Sequence, residues 1–194
     1  MSLVPVFKIG VWNAWIFTVC SLIPLIFVFR PLVTRGHKEG IAFTASFSKM
    51  QKNAFSSHQL IYFILFIYSI FVPLKLGTVW FYVGLPIFLV GLIPYAMLAV
   101  NFVTTPLDKP VTRGIYRYSR HPMYVTGFLM LLGAGIASAS WILLLLFVVD
   151  IILPPLFIEA EERYCLEKYG DAYREYMDRT PRWLGLPKSG KGSN

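Results

Sequence analysis

Acidic residues, cysteine and histidine are all scarce in this chain. Ten Asp and Glu face eighteen Lys and Arg in 194 residues, with three His and two Cys. Cys20 and Cys165 lie far apart, with no CxxC or Cys/His spacing, so neither a disulfide framework nor a zinc site is expected. Charge of either sign is missing from four long runs, residues 11–29, 53–74, 76–107 and 122–149. With 56% of residues apolar, a soluble domain of this length has no interior large enough to hide them. No alternating barrel-strand pattern is present, no internal repeat, and no Gly-rich nucleotide fingerprint. A bilayer core about 30 Å thick takes roughly 20 apolar residues in a helix. The sequence therefore predicts an all-α integral membrane bundle.

The number of spans turns on residues 122–158, which are short for two full spans and too long for one. A tight hairpin turning near 137–141 gives two helices of about 18 residues each, or roughly 27 Å. Five spans then place Arg30, Arg35, Lys38, Lys49 and Lys52 on one side with Lys109, Arg113, Arg117, Arg120 and seven tail cations; the other side holds Lys8 and Lys75. That bias puts the N-terminus outside and the C-terminus and basic loops in the cytoplasm, in the cell membrane. The first run ends at Arg30-Pro31 rather than at a small-residue cleavage site and reads as a true span, not a signal peptide. The net charge of +8 belongs to a face that meets anionic lipid, so membrane lipids and not nucleic acid are the expected partners. One membrane-embedded domain, 1–187, is expected, followed by a polar, disordered tail, 188–194.

Polar chemistry gathers in three cytoplasmic pieces. Residues 30–57 carry Phe43, Phe47 and Phe55 among small polar residues and read as an interfacial amphipathic segment. Residues 101–124, NFVTTPLDKPVTRGIYRYSRHPMY, hold an extended backbone at Pro106 and Pro110, a turn at Gly114, and a helix start with His121 at the N-cap and Pro122 in the first turn. The third piece follows Pro154-Pro155. There Glu159 and Glu162 share a helix face, Glu159 is spaced to pair with Arg163, and Gly170-Asp171 marks a helix stop and a fresh N-cap. Tyr169, Tyr173 and Tyr176 fall on one face, set to pack over the third loop or the membrane interface. Asp150 lies inside the fifth expected span, where an ionisable side chain faces a cavity or a neighbouring helix. His58, at the mouth of the second span, reads as an interface residue.

Two of these pieces together resemble the isoprenylcysteine carboxyl methyltransferase family. V-T-R-G-I-Y-R-Y-S-R-H-P-M-Y, residues 111–124, is similar to that family's TxGxYxxxRHPxY run. E-E-R-Y-C-L-E-K-Y-G-D-A-Y-R-E-Y, residues 161–176, is similar to its EExxLxxxFGxxYxxY, and RTPRWLG, residues 179–185, to its usual ending. The likeness covers 101–185, the expected catalytic half, and is nearest to compact prokaryotic members. Cys165 stands where the family has Leu, and Thr126 where a Gly often follows HPxY. The resemblance implies S-adenosylmethionine as methyl donor, with S-adenosylhomocysteine as product. The cofactor residues it implies are Asn101, Asp108, Lys109, Pro110, Val111, Tyr116, His121, Pro122, Met123, Tyr124 and Glu161, with Glu162 as a neighbour.

Those residue types suit the ligand. Glu161 can bind an ammonium or a ribose diol, while His121, Tyr124 or a helix N-terminus can meet a carboxylate. The extended backbone at 109–111 can flank adenine, and aromatic faces attract a sulfonium. The expected reaction gives the methyl ester of a lipophilic carboxylate such as a prenylated cysteine, with no metal. A carboxylate acceptor is already an anion at neutral pH and needs alignment rather than a base. Arg163 and Arg120 are the candidate cations to orient it. The position that holds an arginine in some relatives, four before the EE pair, is Phe157 here. A phospholipid N-methyltransferase, with Glu162 as base, is the alternative; a membrane sterol or enoyl reductase is a second.

Overall fold

A computed structural model describes residues 7–24 and 43–187 of the chain. Arg30, Arg35 and Lys38, part of the first expected span and the tail from Lys188 lie outside those residues. The described residues are helical, with one isolated antiparallel bridge between Asn13 and Pro73. In chain order the helices are α1 (Trp15–Pro24), α2 (Lys49–Ser69), α3 (Val79–Thr104), α4 (Pro122–Ala137), α5 (Trp141–Ile152), α6 (Ile158–Tyr169) and α7 (Asp171–Arg179).

Local chemistry sets most boundaries. Ser48 and Gln51 form a reciprocal capping box at the start of α2. His121 is the N-cap of α4 with Pro122 in its first turn, as the sequence predicts. The hairpin between α4 and α5 turns at 138–140, where Ser140 Oγ accepts from Leu143 N. Its arms are shorter than expected, 16 and 12 residues, because α5 runs into a 3-10 turn at Pro154–Leu156. α6 then departs at a bend of 41°. Gly170, at φ +57, separates α6 from α7. It is itself the N-cap of α7, so Asp171 sits in the first turn rather than at the cap.

The loops gather at two ends. At one, Ala14 N donates to Val72 O (2.8 Å), Asn13 Nδ2 to Ile70 O (2.7 Å), and Lys75 N to Ala137 O (3.0 Å). Lys8 and Lys75 belong to this end. The third loop, the α5–α6 corner and α7 make the other end, which carries the acidic pair and most of the described cations.

α3 and α4 pack closest, backbone to backbone. A Cβ on Gly84 would lie 2.5 Å from Gly133 O, and one on Gly91 would lie 2.8 Å from Thr126 O. Small residues at such a crossing let backbones touch. The opposite face of α3 is apolar and uncovered: Val83, Val90, Ile93, Met97 and Val100 recur at helical spacing and are all exposed. Among the described residues α3 alone is a single unbroken helix both long and apolar enough to cross a membrane.

Phe43, Phe47 and Phe55 do not form an outward amphipathic face. Phe47 is buried, and the three rings pack edge-on with one another and, through Phe55, onto fully buried Phe157. The aromatic corner left by the α5–α6 bend supplies the partner that a reading of the segment alone assigned to the membrane interface.

Candidate functional site

The site grows from the two glutamates at the start of α6. That helix follows its proline-rich corner directly, so its first turn points back at the N-terminus of α4. Glu162 is buried there and meets three cationic side chains: Arg120 Nε at 3.0 Å, His121 Nε2 at 3.2 Å, and Arg182 Nη2 at 2.7 Å. Arg182 Nε also donates to Glu162 Oε1 (3.3 Å), a forked contact. Glu161 is the next residue but faces elsewhere: Tyr124 Oη donates to its Oε1 at 2.6 Å, and His121 Nδ1 lies 3.5 Å from its Oε2. Both ring nitrogens of His121 therefore face carboxylates.

That geometry fixes the protonation states. Burial pushes the Glu162 carboxyl up, but hydrogen bonds from His121 and Arg182, with the charge of Arg120, outweigh it and hold it at about 2. Burial pushes His121 down, and its bonds to Glu161 and Glu162 more than reverse that, so it is raised above its ordinary value. The depressed carboxylate contributes stability that is present above the ordinary value of 4.5 and is lost as pH falls toward about 2. Thermal unfolding in detergent is expected to show that acid-side loss, and Glu162→Gln is expected to flatten it. His121 acts oppositely: its stabilisation is fully present below 6.5 and disappears as pH rises through its raised value.

The third loop is tied to the chain's C-terminal segment. Arg120 N donates to Pro181 O and Gly185 N to Tyr118 O, both at 3.0 Å. Tyr176 Oη donates to Tyr116 O at 2.7 Å, so the tyrosines of α6 and α7 do pack over the third loop. Trp183 lies near His121 and Phe128.

Next to this strap, residues 181–185, which contributes none of the lining, lies a cavity of about 630 Å³, within the range of small-molecule sites. Its polar lining includes Glu161, His121, Tyr124 and Arg120, and aromatic walls come from Tyr116, Tyr169, Tyr173 and Tyr176. Apolar and aromatic walls come from α1 to α4, through Leu22, Phe55, Tyr95, Phe102 and Met130. Leu22, Gln59, Tyr62 and Phe102 of that lining are exposed, so the cavity opens between helices as well as at the loop end.

Of the residues the sequence singled out, Pro110, Val111, Tyr116, Arg120, His121, Pro122, Met123, Tyr124 and Glu161 line the cavity. Glu162 stands behind it as the hub of the ion pairs. Asn101 is outside the lining and abuts the third loop instead: a Cβ on Gly114, which sits at φ +63, would lie 2.5 Å from Asn101 Nδ2. Asp108 and Lys109 are exposed on the loop. Arg163 is exposed too and donates to Gln51 Oε1 (3.3 Å) rather than pairing with Glu159, whose ion pair is with Arg182 (3.8 Å). Sequence reasoning missed Arg182. Its one signal was membership of the RTPRWLG ending.

Residues 93–172 match the family model described as phospholipid methyltransferase. The protein-S-isoprenylcysteine O-methyltransferase of Schizosaccharomyces pombe is 37% identical over 79 residues, 39% of this chain and 33% of that protein. The chain is thus similar, over part of its length, to the isoprenylcysteine carboxyl methyltransferase family. It spans about a third of the length of the curated relative it matches. No solved structure matches it. The family match runs from the last turns of α3 through α6 and so contains the third loop, His121, Tyr124 and both glutamates. α1, α2 and Arg182 lie outside it. Methyltransferases of this kind in general take their methyl group from S-adenosylmethionine.

Proposed function

We propose that this protein is an integral membrane enzyme that transfers a methyl group from S-adenosylmethionine to the carboxylate of a lipophilic acceptor such as a prenylated cysteine. The observation that carries the reading is the single cavity in which Glu161, His121 and Tyr124 stand across from apolar walls drawn from α1 to α4. A charged, ring-bearing donor and a greasy acceptor can share it. The residues fit the donor: Glu161 offers carboxylate oxygens to an ammonium or diol, four tyrosines offer ring faces to a cation, and Pro110 and Val111 offer extended backbone.

When bound, S-adenosylmethionine supplies a methyl group on a positively charged sulfur. The chain's own side chains do the rest. His121 and Tyr124 fix the Glu161 carboxylate between them. Glu162 binds Arg182 and so ties the C-terminal segment to α6 beside the third loop. An acceptor carboxylate is already ionised, so alignment and exclusion of water are the work required. Asn101, Asp108 and Lys109 act by shaping the loop.

The exposed apolar faces of α2, α3 and α5 belong against lipid, in the five-span arrangement with the N-terminus outside and the strap end cytoplasmic. The acceptor's tail enters between helices, past Leu22 and Phe102. The described name of the matched family favours a second acceptor, a phospholipid amine.

Purified protein in detergent, given labelled S-adenosylmethionine and N-acetyl-S-farnesylcysteine, is expected to yield label that alkali releases as volatile methanol. Alkali-resistant label in phospholipid would replace the ester reading with N-methylation.

A further inference from the structure

The sequence offered Arg120 and Arg163 as the groups that hold the acceptor's head, and the structure engages both elsewhere. Arg163 is exposed and bonded to Gln51. Arg120 pairs with Glu162, and its Nη1 donates to Met177 O (3.1 Å). His121 is shared between two glutamates. The remaining basic side chain in the cavity wall is His58 of α2.

His58 is buried, with 8% of its side chain exposed, and lies beside Asp150 of α5, which is fully buried. Its Nε2 is 3.4 Å from Asp150 Oδ1, yet neither atom completes a hydrogen bond. Asp150 Oδ2 accepts from Tyr62 Oη at 3.3 Å. The other ring nitrogen, Nδ1, faces Gln59 Oε1 at 3.4 Å. Leaving buried polar atoms this loosely bonded is costly and calls for an explanation at each site. In a low-dielectric interior the stable form of such a pair carries no net charge, with one proton shared between Oδ1 and Nε2. Nδ1 then keeps its own hydrogen, and it has an oxygen in front of it. A donor in that position suits an anion.

We propose that His58, held by Asp150, binds the acceptor's carboxylate through Nδ1–H, with Gln59 as the side chain it displaces. Asp150 is a positioning residue that acts through His58. The placement relative to the donor end is set by Tyr124, whose ring lies 5.5 Å from the His58 ring and whose hydroxyl bonds Glu161. His58 thus stands one aromatic ring away from the Glu161 group. This assignment rests on the methyltransferase reading for its ligand and gives Asp150 a role that lipid contact does not explain.

The test uses the full-length protein saturated with S-adenosylhomocysteine, so that no turnover occurs. Affinities for a farnesyl thioether carboxylate and for its uncharged carboxamide are measured by calorimetry. Wild type is expected to prefer the carboxylate by about tenfold or more, the scale of one lost charged hydrogen bond. His58→Ala is expected to remove that preference while S-adenosylhomocysteine affinity stays unchanged, which also reports an intact fold. Asp150→Asn is expected to weaken the preference, and His58→Ala with Asp150→Asn together to do no more than His58→Ala alone. Should either histidine variant fold poorly, His58→Gln, which keeps a donor, is expected to retain part of the preference. A preference that survives His58→Ala, additive effects in the double variant, or a wild type that binds S-adenosylhomocysteine and ignores the acceptor's charge would each overturn the assignment. A wild type that discriminates carboxylate from amide through His58 but binds no S-adenosylhomocysteine would instead overturn the methyltransferase reading.

Discussion

Glu161→Gln is expected to weaken S-adenosylmethionine binding by about a hundredfold or more, close to abolition in practice, in a protein that still folds. The fold survives because, among the described residues, the partners of Glu161 are Tyr124 and His121, and a glutamine can still accept from Tyr124 Oη. Binding fails because the amide carries no charge to meet the donor's cationic groups, and because it no longer offers a carboxylate to His121. His121→Ala is expected to share the loss, since it removes the group that orients both glutamates. Calorimetry with purified protein checks both, and unchanged affinity in both would remove this cavity as the donor site. Glu162 is the contrasting neighbour. Its removal would leave Arg120, His121 and Arg182 facing one another without their shared carboxylate. Loss of binding in a Glu162 variant therefore reports collapse of the supporting ion pairs, whereas loss in Glu161→Gln reports the site itself.

The second large effect lies at the α3–α4 crossing. Gly133→Ala is expected to lower the unfolding temperature by roughly 2–12 °C, which corresponds to an overpacking cost of about 1–3 kcal/mol. A methyl at this position would lie 2.7 Å from both Gly84 O and Phe88 Cα. These are backbone atoms, so no side-chain rotation relieves the contact and the helices must part. Because α4 carries His121 and Tyr124 at its start, the separation is expected to reduce donor affinity as well. Gly77→Ala is the contrasting case: a Cβ there meets nothing within 4 Å, so any loss reports backbone strain at φ +73 rather than a clash. Thermal unfolding followed by light scattering in detergent checks the comparison, and an unshifted Gly133→Ala would mean that the crossing has slack.

What was legible in the sequence was mostly local. The 3.6-residue periodicity was not needed to see helices, because charge-free length and lipid thickness sufficed. The break at Gly170, the His121–Pro122 helix start and the α4–α5 hairpin all follow from chemistry within a few residues, and the structure has them. Tertiary pairing was less visible. Nothing near Arg163 signals that Gln51, 112 residues away, will hold it, while the i,i+4 rule pointed to Glu159. His58 read as an interface residue because its partner, Asp150, is on another helix. Asn101, Asp108 and Lys109 are expected in the site through family likeness; Asn101 abuts the third loop from the last turn of α3, and Asp108 and Lys109 are exposed on that loop. Phe43, Phe47 and Phe55 show the same limit, since an aromatic cluster and an interfacial face have the same composition.

The strap has a consequence for the order in which the protein is made. Glu162 meets Arg120 and His121, both already synthesised, but its closest partner is Arg182, twenty residues further on. A ribosome that has just delivered Tyr169 has made α1 to α6 and both glutamates, but not α7. At that moment Glu162 still lacks Arg182, and Arg120 N still lacks Pro181 O. A premature stop between Gly170 and Arg182 therefore leaves Glu162 with Arg120 and His121 but without its closest partner.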